Sequence, residues 1–153
     1  MAEKIDTKAA SRIADSIATQ CIGVRIRMLN RTVSRIYDEQ LRPHGVKFSQ
    51  MNILVAIARH GSLQPKRIAE TLYIEKSTLS RNVRVMQSNG WIESIPGEAG
   101  NTQLLRTTQK GLRLLKKAVP AWRTAQNRVK SLLGNGAVTT IRGAAERVRK
   151  PEA

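Results

Sequence analysis

From Pro65 to Thr107 the apolar residues keep a helical period through two short stretches, pause for three residues between them, and then switch to alternation. No other feature of the chain narrows its fold as much. Ile68, Ala69 and Leu72 mark the inner face of a helix that Pro65 opens. Proline is tolerated at the first helical position because the N–H it lacks would have no partner there. Tyr73-Ile74-Glu75 make a tight turn. Leu79, Val83 and Met86 then define the buried face of a second helix from Lys76 to Ser88, which Asn89-Gly90 ends with left-handed cap chemistry. Two short helices three residues apart are the outline of a helix-turn-helix. Residues 91–95 and 102–107 follow with period two around Pro96-Gly97-Glu98-Ala99-Gly100-Asn101, which reads as a β-hairpin, or wing.

Helical patterns flank this block. Ile13, Ile17 and Cys21/Ile22, then Ile26, Leu29, Val33, Ile36/Tyr37 and Leu41, form an apolar stripe too long for one globular helix. The expectation is a shorter helix leading into a longer one near residue 20, ended by Pro43-His44-Gly45. Ser49 reads as the N-cap of the next helix, with Phe48 stapled against Ile53, and Met51, Leu54, Ile57 and Ala58 inward until Gly61. Ser62-Leu63 is a short extended piece. Thr108 caps a long helix carrying Leu112, Leu115, Ala118, Trp122, Ala125, Val129 and Leu132 on one face. Pro120 should bend it. Gly134-Asn135-Gly136 break the chain before a last amphipathic helix with Val138, Ile141, Ala145 and Val148. The expected class is mainly α with a small β-hairpin wing. The terminal stripes exceed what one small core can cover, so residues 1–44 and 112–153 are expected to dimerise around a central segment, 45–111.

What that segment meets is written in charge. The 153 residues carry 27 Lys+Arg against 11 Asp+Glu, a formal charge of +16. Such an excess calls for a polyanion, with nucleic acid first and an anionic membrane surface second. Aromatics are only 3%, which counts against reading single strands by base stacking. The helix from Lys76 to Ser88 turns Ser77, Ser80, Arg81, Arg84 and Ser88 away from its apolar face, with Lys76 and Thr78 beside them. Serine permits close approach to a major groove, and arginine can fork onto guanine or phosphate. A solvated helix face is the plain alternative; the preceding helix, the turn and the hairpin favour double-stranded DNA.

Other chemistries find no footing. No nucleophile–base–acid set and no glycine-rich phosphate loop stand out, so an enzyme is not expected. His44, His60 and the single Cys21 show no metal-ligand spacing, and no cofactor is implied. The longest apolar run, residues 53–58, is too short to cross a bilayer, and residues 1–11 hold no apolar signal core. A cytoplasmic, nucleoid-associated protein is the expectation.

Gly45-Val46-Lys47-Phe48-Ser49-Gln50, Arg67-Ile68-Ala69-Glu70-Thr71-Leu72, Ser77-Thr78-Leu79-Ser80-Arg81, Gly90-Trp91-Ile92-Glu93 and Thr108-Gln109-Lys110-Gly111 occur in that order. Over residues 20 to about 130 the chain thereby resembles the MarR family of bacterial transcription regulators. The resemblance implies a winged helix-turn-helix in a homodimer held by its N- and C-terminal helices. It also implies a pseudo-palindromic operator, and release from it by a small anionic or phenolic effector. The chain departs from the family at the wing tip. Where an Asp-Arg-Arg or Asp-x-Arg tip is usual, Ala99, Gly100 and Asn101 stand. None offers a cation to a narrow minor groove, so Asn101 or Arg106 is expected at most at its edge or on phosphate. Arg27 and Arg31, with Met28 and Trp122 as apolar wall, are candidates for the effector pocket. Against that, arginines on a helix face usually pair or face water, and a Trp at helical spacing is usually core. Some relatives sense peroxide through a cysteine in the first long helix. Cys21 is the candidate here, against the reading of a buried inert thiol on the apolar stripe. A basic architectural protein with little sequence preference is the remaining alternative.

Overall fold

The computed structural model describes residues 6–97 and 102–149. They form α1 (Thr7–Gln20), α2 (Ile22–Leu41), a 3₁₀ turn (Arg42–His44), α3 (Phe48–His60), β1 (Ser62–Leu63), α4 (Pro65–Leu72), α5 (Lys76–Ser88), β2 (Ile92–Pro96), β3 (Gln103–Thr107) and α6 (Gln109–Val148). The fold is mainly α, with one small antiparallel sheet in the order β1-β3-β2. None of these helices is long and apolar enough to cross a membrane.

The chain divides into two compact units, Met1–Arg35 and Ile36–Ala153. In the first, Asp6 caps α1 by accepting from the Lys8 N–H at 3.0 Å. α1 ends where the stripe predicts, at Cys21, whose extended backbone (ψ 109) breaks the helix. Arg25 steadies the break by donating to the carbonyls of Cys21 and Thr19. No residue of α1 is buried.

In the second unit, Leu41, Ile53, Leu54, Ile57, Ile68, Met86 and Ile92 form the fully buried core. α3 lies at its centre, against α4, α5, α6 and the sheet. The expected cap at Ser49 is corrected here: Lys47 is the N-cap, and Phe48 is the first helical residue. The reason is tertiary. The Asp38 carboxylate, ten residues upstream, accepts from the Phe48 N–H at 2.7 Å, and the Phe48 ring stacks on Tyr37 at 4.1 Å. The Gln50 side chain reaches back to the Lys47 N–H at 3.0 Å. Tyr37 is 5% exposed and donates to Gln126 of α6, and burial pushes its phenol above the usual 10.0.

The period-two stretch pairs as expected, β2 to β3 from Ile92↔Thr107 to Pro96↔Gln103. Ser62-Leu63 also joins β3, opposite Arg106 and Leu105, which turns the hairpin into a three-stranded sheet. Thr108 caps α6 by accepting from the Gly111 N–H at 3.1 Å, and donates to the Gly90 carbonyl at 2.6 Å. α6 stays helical through Pro120. Its non-helical residue is Gly134, with φ 76 and ψ 157. The glycine, which carries no Cβ penalty at positive φ, makes the interruption that the sequence places there.

Candidate nucleic-acid interface

α4 and α5 are set by their ends. Pro65 starts α4, and Tyr73 closes it in the left-handed region at φ 52, donating its N–H back to Glu70 and, through Ile74, to Ala69. Three residues later α5 begins at Lys76. Leu79 and Met86, 3% and 0% exposed, pin α5 to the core, with Val83 half-buried beside them. The opposite face is open. Lys76, Ser77, Ser80, Arg81, Arg84 and Ser88 are all exposed, and Thr78 is half-buried. The structure therefore brings together on one helix every recognition residue expected between Lys76 and Ser88.

Internal bonds orient this face. Arg81 Nη2 donates to Thr78 Oγ1 at 3.1 Å, which aims the guanidinium along the helix toward its N-terminus. Asn82 donates to the Thr78 carbonyl at 3.0 Å and meets the Ser49 hydroxyl of α3 at 3.4 Å. Sequence reasoning missed Asn82, because its use depends on where α3 lies. Ser77, Ser80 and Arg84 are exposed and make no side-chain hydrogen bond or ion pair among the described residues.

The wing is anchored more firmly than it is charged. Trp91, 7% exposed, is buried at the start of the wing, its N–H donating to the Met86 carbonyl at 2.9 Å and its carbonyl accepting from the Thr108 N–H at 3.0 Å. Arg106 on β3 lies opposite Glu93 on β2 and grips its carboxylate through Nε at 3.1 Å and Nη2 at 2.8 Å. Asn101, and with it Ala99 and Gly100, lies outside the described residues.

The effector candidates fall in different units. Arg27, Met28 and Arg31 belong to the first, all exposed, with Met28 at 63%. Trp122 belongs to the second and is 37% exposed. Cys21 is half-buried at the helix break, a free thiol at a cap position rather than on a packed helix face. No group of three or more His, Cys, Asp or Glu that could hold a metal occurs among the described residues.

With this geometry in view, known proteins are informative. A sequence model of the MarR family matches residues 44–100. The chain is 28% identical over 86 residues to the uncharacterized HTH-type transcriptional regulator YwoH of Bacillus subtilis. That alignment covers 56% of this chain and 63% of YwoH, so the chain spans less than two thirds of this relative. The fold is similar to that of a mutant MarR from Escherichia coli complexed with operator DNA, with TM-score 0.77 and 20% identity over 88% of this chain and 97% of that one. It is also similar to CouR from Rhodococcus jostii RHA1 bound to p-coumaroyl-CoA, with TM-score 0.73 and 18% identity over 88% and 96%. At such identities the structural likeness is one of fold.

Proposed function

We propose that the chain, whose residues 44–100 match the sequence model of the MarR family, is a member of that family and acts as a homodimeric transcription regulator reading pseudo-palindromic double-stranded DNA through the major groove. The observation that carries this reading is the division of α5, with Leu79 and Met86 buried on one side and Ser77, Ser80, Arg81 and Arg84 exposed on the other. In this reading residues 45–111 bind DNA, and residues 1–44 and 112–153 dimerise. The exposed apolar residues of those helices, among them Ile17 at 62% and Leu132 at 57%, support a second copy as their cover.

The mechanism follows from spacing. Two recognition helices of one dimer reach successive major grooves only when they stand about 34 Å apart, one turn of the duplex. A ligand that binds better to a dimer with a different spacing withdraws one helix from its groove. We assign that role to a small anionic or phenolic effector, with Arg27 and Arg31 as the charged candidates and Met28 and Trp122 as the apolar ones. Repression in the cytoplasm, at the nucleoid, follows from the same reading. No catalytic residue is assigned.

The test is a selection of operators from random duplex DNA, followed by binding measured on the selected and random sequences across salt. Arg81→Ala or Arg84→Ala should cost the selected sequence about 1–3 kcal/mol and relax its preference. A steep salt slope with no sequence preference would instead favour an architectural role.

A further inference from the structure

α6 ends against the helix-turn-helix. Tyr73, in the turn between α4 and α5, is the only non-glycine residue with positive φ among the described residues. Its phenol donates to the Val148 carbonyl at 3.2 Å, joining positions 75 residues apart. Val148 closes α6, so its carbonyl is among those that a helix leaves without an internal acceptor role. The bond satisfies it and fixes where the next residue, Arg149, emerges.

Arg149 emerges into a cleft of about 680 Å³ shared with Lys66, Arg67, Tyr73, Glu75 and Lys76. Lys66 lies in the first turn of α4 and Lys76 opens α5, and both are exposed. In a helix-turn-helix the first helix crosses the sugar–phosphate backbone, while the start of the second enters the groove. The cations of the cleft therefore stand where phosphates would pass. Its carboxylates are partly answered from within: Glu70 lies 3.6 Å from Arg67, and outside the cleft Glu146 lies 3.9 Å from Arg149. Arg67 and Arg149 are thus already engaged by carboxylates, and Lys66 and Lys76 add positive charge to the lining of the cleft.

We propose that this cleft is a phosphate-binding site of the DNA-binding head, completed by Arg149, which the Tyr73–Val148 hydrogen bond delivers from the far end of α6. Its occupant is a backbone phosphate flanking the bases that α5 reads. The inference rests on the DNA-binding reading above. It adds that the C-terminal end of α6 serves DNA affinity as well as assembly. Arginine suits the position because its fork can hold two phosphate oxygens at once.

The experiment uses the full chain, with affinity measured on a selected operator and on a random duplex across salt. Arg149→Gln should weaken both duplexes equally and lower the slope of log K against log salt by about 1. Arg149→Lys should restore most of the slope. Tyr73→Phe keeps every charge and loses the bond, and should show at least half of the Arg149→Gln loss. All three variants should sediment like the wild type. An Arg149→Gln protein with unchanged slope and affinity overturns the proposal while leaving operator recognition by α5 intact. A changed sedimentation profile overturns it in favour of a purely assembling role. Inorganic phosphate at constant ionic strength should weaken DNA binding by the wild type more than by Arg149→Gln. Phosphate that binds the wild type without competing with DNA would assign the cleft to a free anion and overturn the proposal. A wild-type chain with no affinity for either duplex removes the DNA-binding reading itself, and the cleft assignment with it.

Discussion

Around the helix-turn-helix, Ile53, Leu54, Ile57, Ile68 and Met86 are buried completely. Along α1 and the start of α2, Ile13, Ile17, Ile22 and Ile26 are 61%, 62%, 70% and 60% exposed. Residue types are nearly the same in the two regions, and the periodicity is equally regular. What differs is the availability of a second apolar surface. α3 can press on α4, α5, α6 and the sheet at once, and each isoleucine or leucine so enclosed contributes about 1.5–3 kcal/mol. α1 holds the same kind of residue with nothing buried. A head that closes on itself can present a fixed reading surface, whereas an open stripe is suited to association.

The sharpest way to break this comparison is to shave one isoleucine from each region. Ile57→Ala opens a cavity in a closed core and should cost about 2–5 kcal/mol of unfolding free energy, read from denaturant titration. Ile17→Ala should cost the protomer less than about 0.5 kcal/mol, because the side chain is already in water. Its effect should appear in sedimentation instead, as a shift toward monomer at low concentration. If Ile17→Ala destabilised as much as Ile57→Ala with unchanged sedimentation, the two regions would not differ as described.

Glycines sharpen the same contrast at smaller cost. A Cβ on Gly111 would lie 2.1 Å from the Trp91 carbonyl oxygen and 2.9 Å from Thr107 Cγ2. Gly111 is the point where the first turn of α6 crosses the start of the wing, and backbone meets backbone there. Gly111→Ala should therefore destabilise by about 3 kcal/mol and loosen the start of α6 from Trp91 and Thr107, visible as faster amide exchange at Trp91 and Thr108. Gly143, in the last part of α6, would meet only the tip of Arg147 at 3.8 Å. Gly143→Ala should stabilise by about 0.5–1 kcal/mol, the ordinary gain of replacing glycine inside a helix. The same substitution thus has opposite signs where α6 is packed on the head and where it runs exposed.

Much of this was legible in the residues, and what was not has a common cause. Pro65, the Tyr73 turn, Gly90, Thr108 and Gly134 all act on their own backbone, and each sits where local rules put it. The face of α5 was legible for the same reason, since it needs only the helical period and Leu79 and Met86. The start of α3 is earlier than local rules place it, with Lys47 rather than Ser49 as the N-cap, because Asp38 takes the Phe48 N–H and Tyr37 stacks on its ring, partners that only the fold brings near. β1 pairs through two residues, too few to show a period. The cleft at Arg149 was invisible: Tyr73 and Val148 carry no signal that they meet across 75 positions.

The smallest expected effect tests whether the wing belongs to the closed region alone or also to the reading surface. Arg106 and Glu93 face each other across β3 and β2, with side chains 53% and 47% exposed. An isolated pair that wet contributes at most about 1 kcal/mol to stability, so Arg106→Gln should barely move the unfolding midpoint. Its consequence for DNA is larger if the guanidinium also serves a phosphate. A phosphate oxygen would then compete with Glu93 for the same N–H groups, and Glu93→Gln should release the arginine. Under that assignment Glu93→Gln raises affinity for any duplex a few-fold, while Arg106→Gln lowers it and reduces the salt slope by about 1. The double variant should match Arg106→Gln, because Glu93 acts only through its partner. Should both single variants leave the salt slope untouched, the Arg106–Glu93 pair is a fastening of the sheet, and the contacts of the head begin and end with α4, α5 and the cleft beside them.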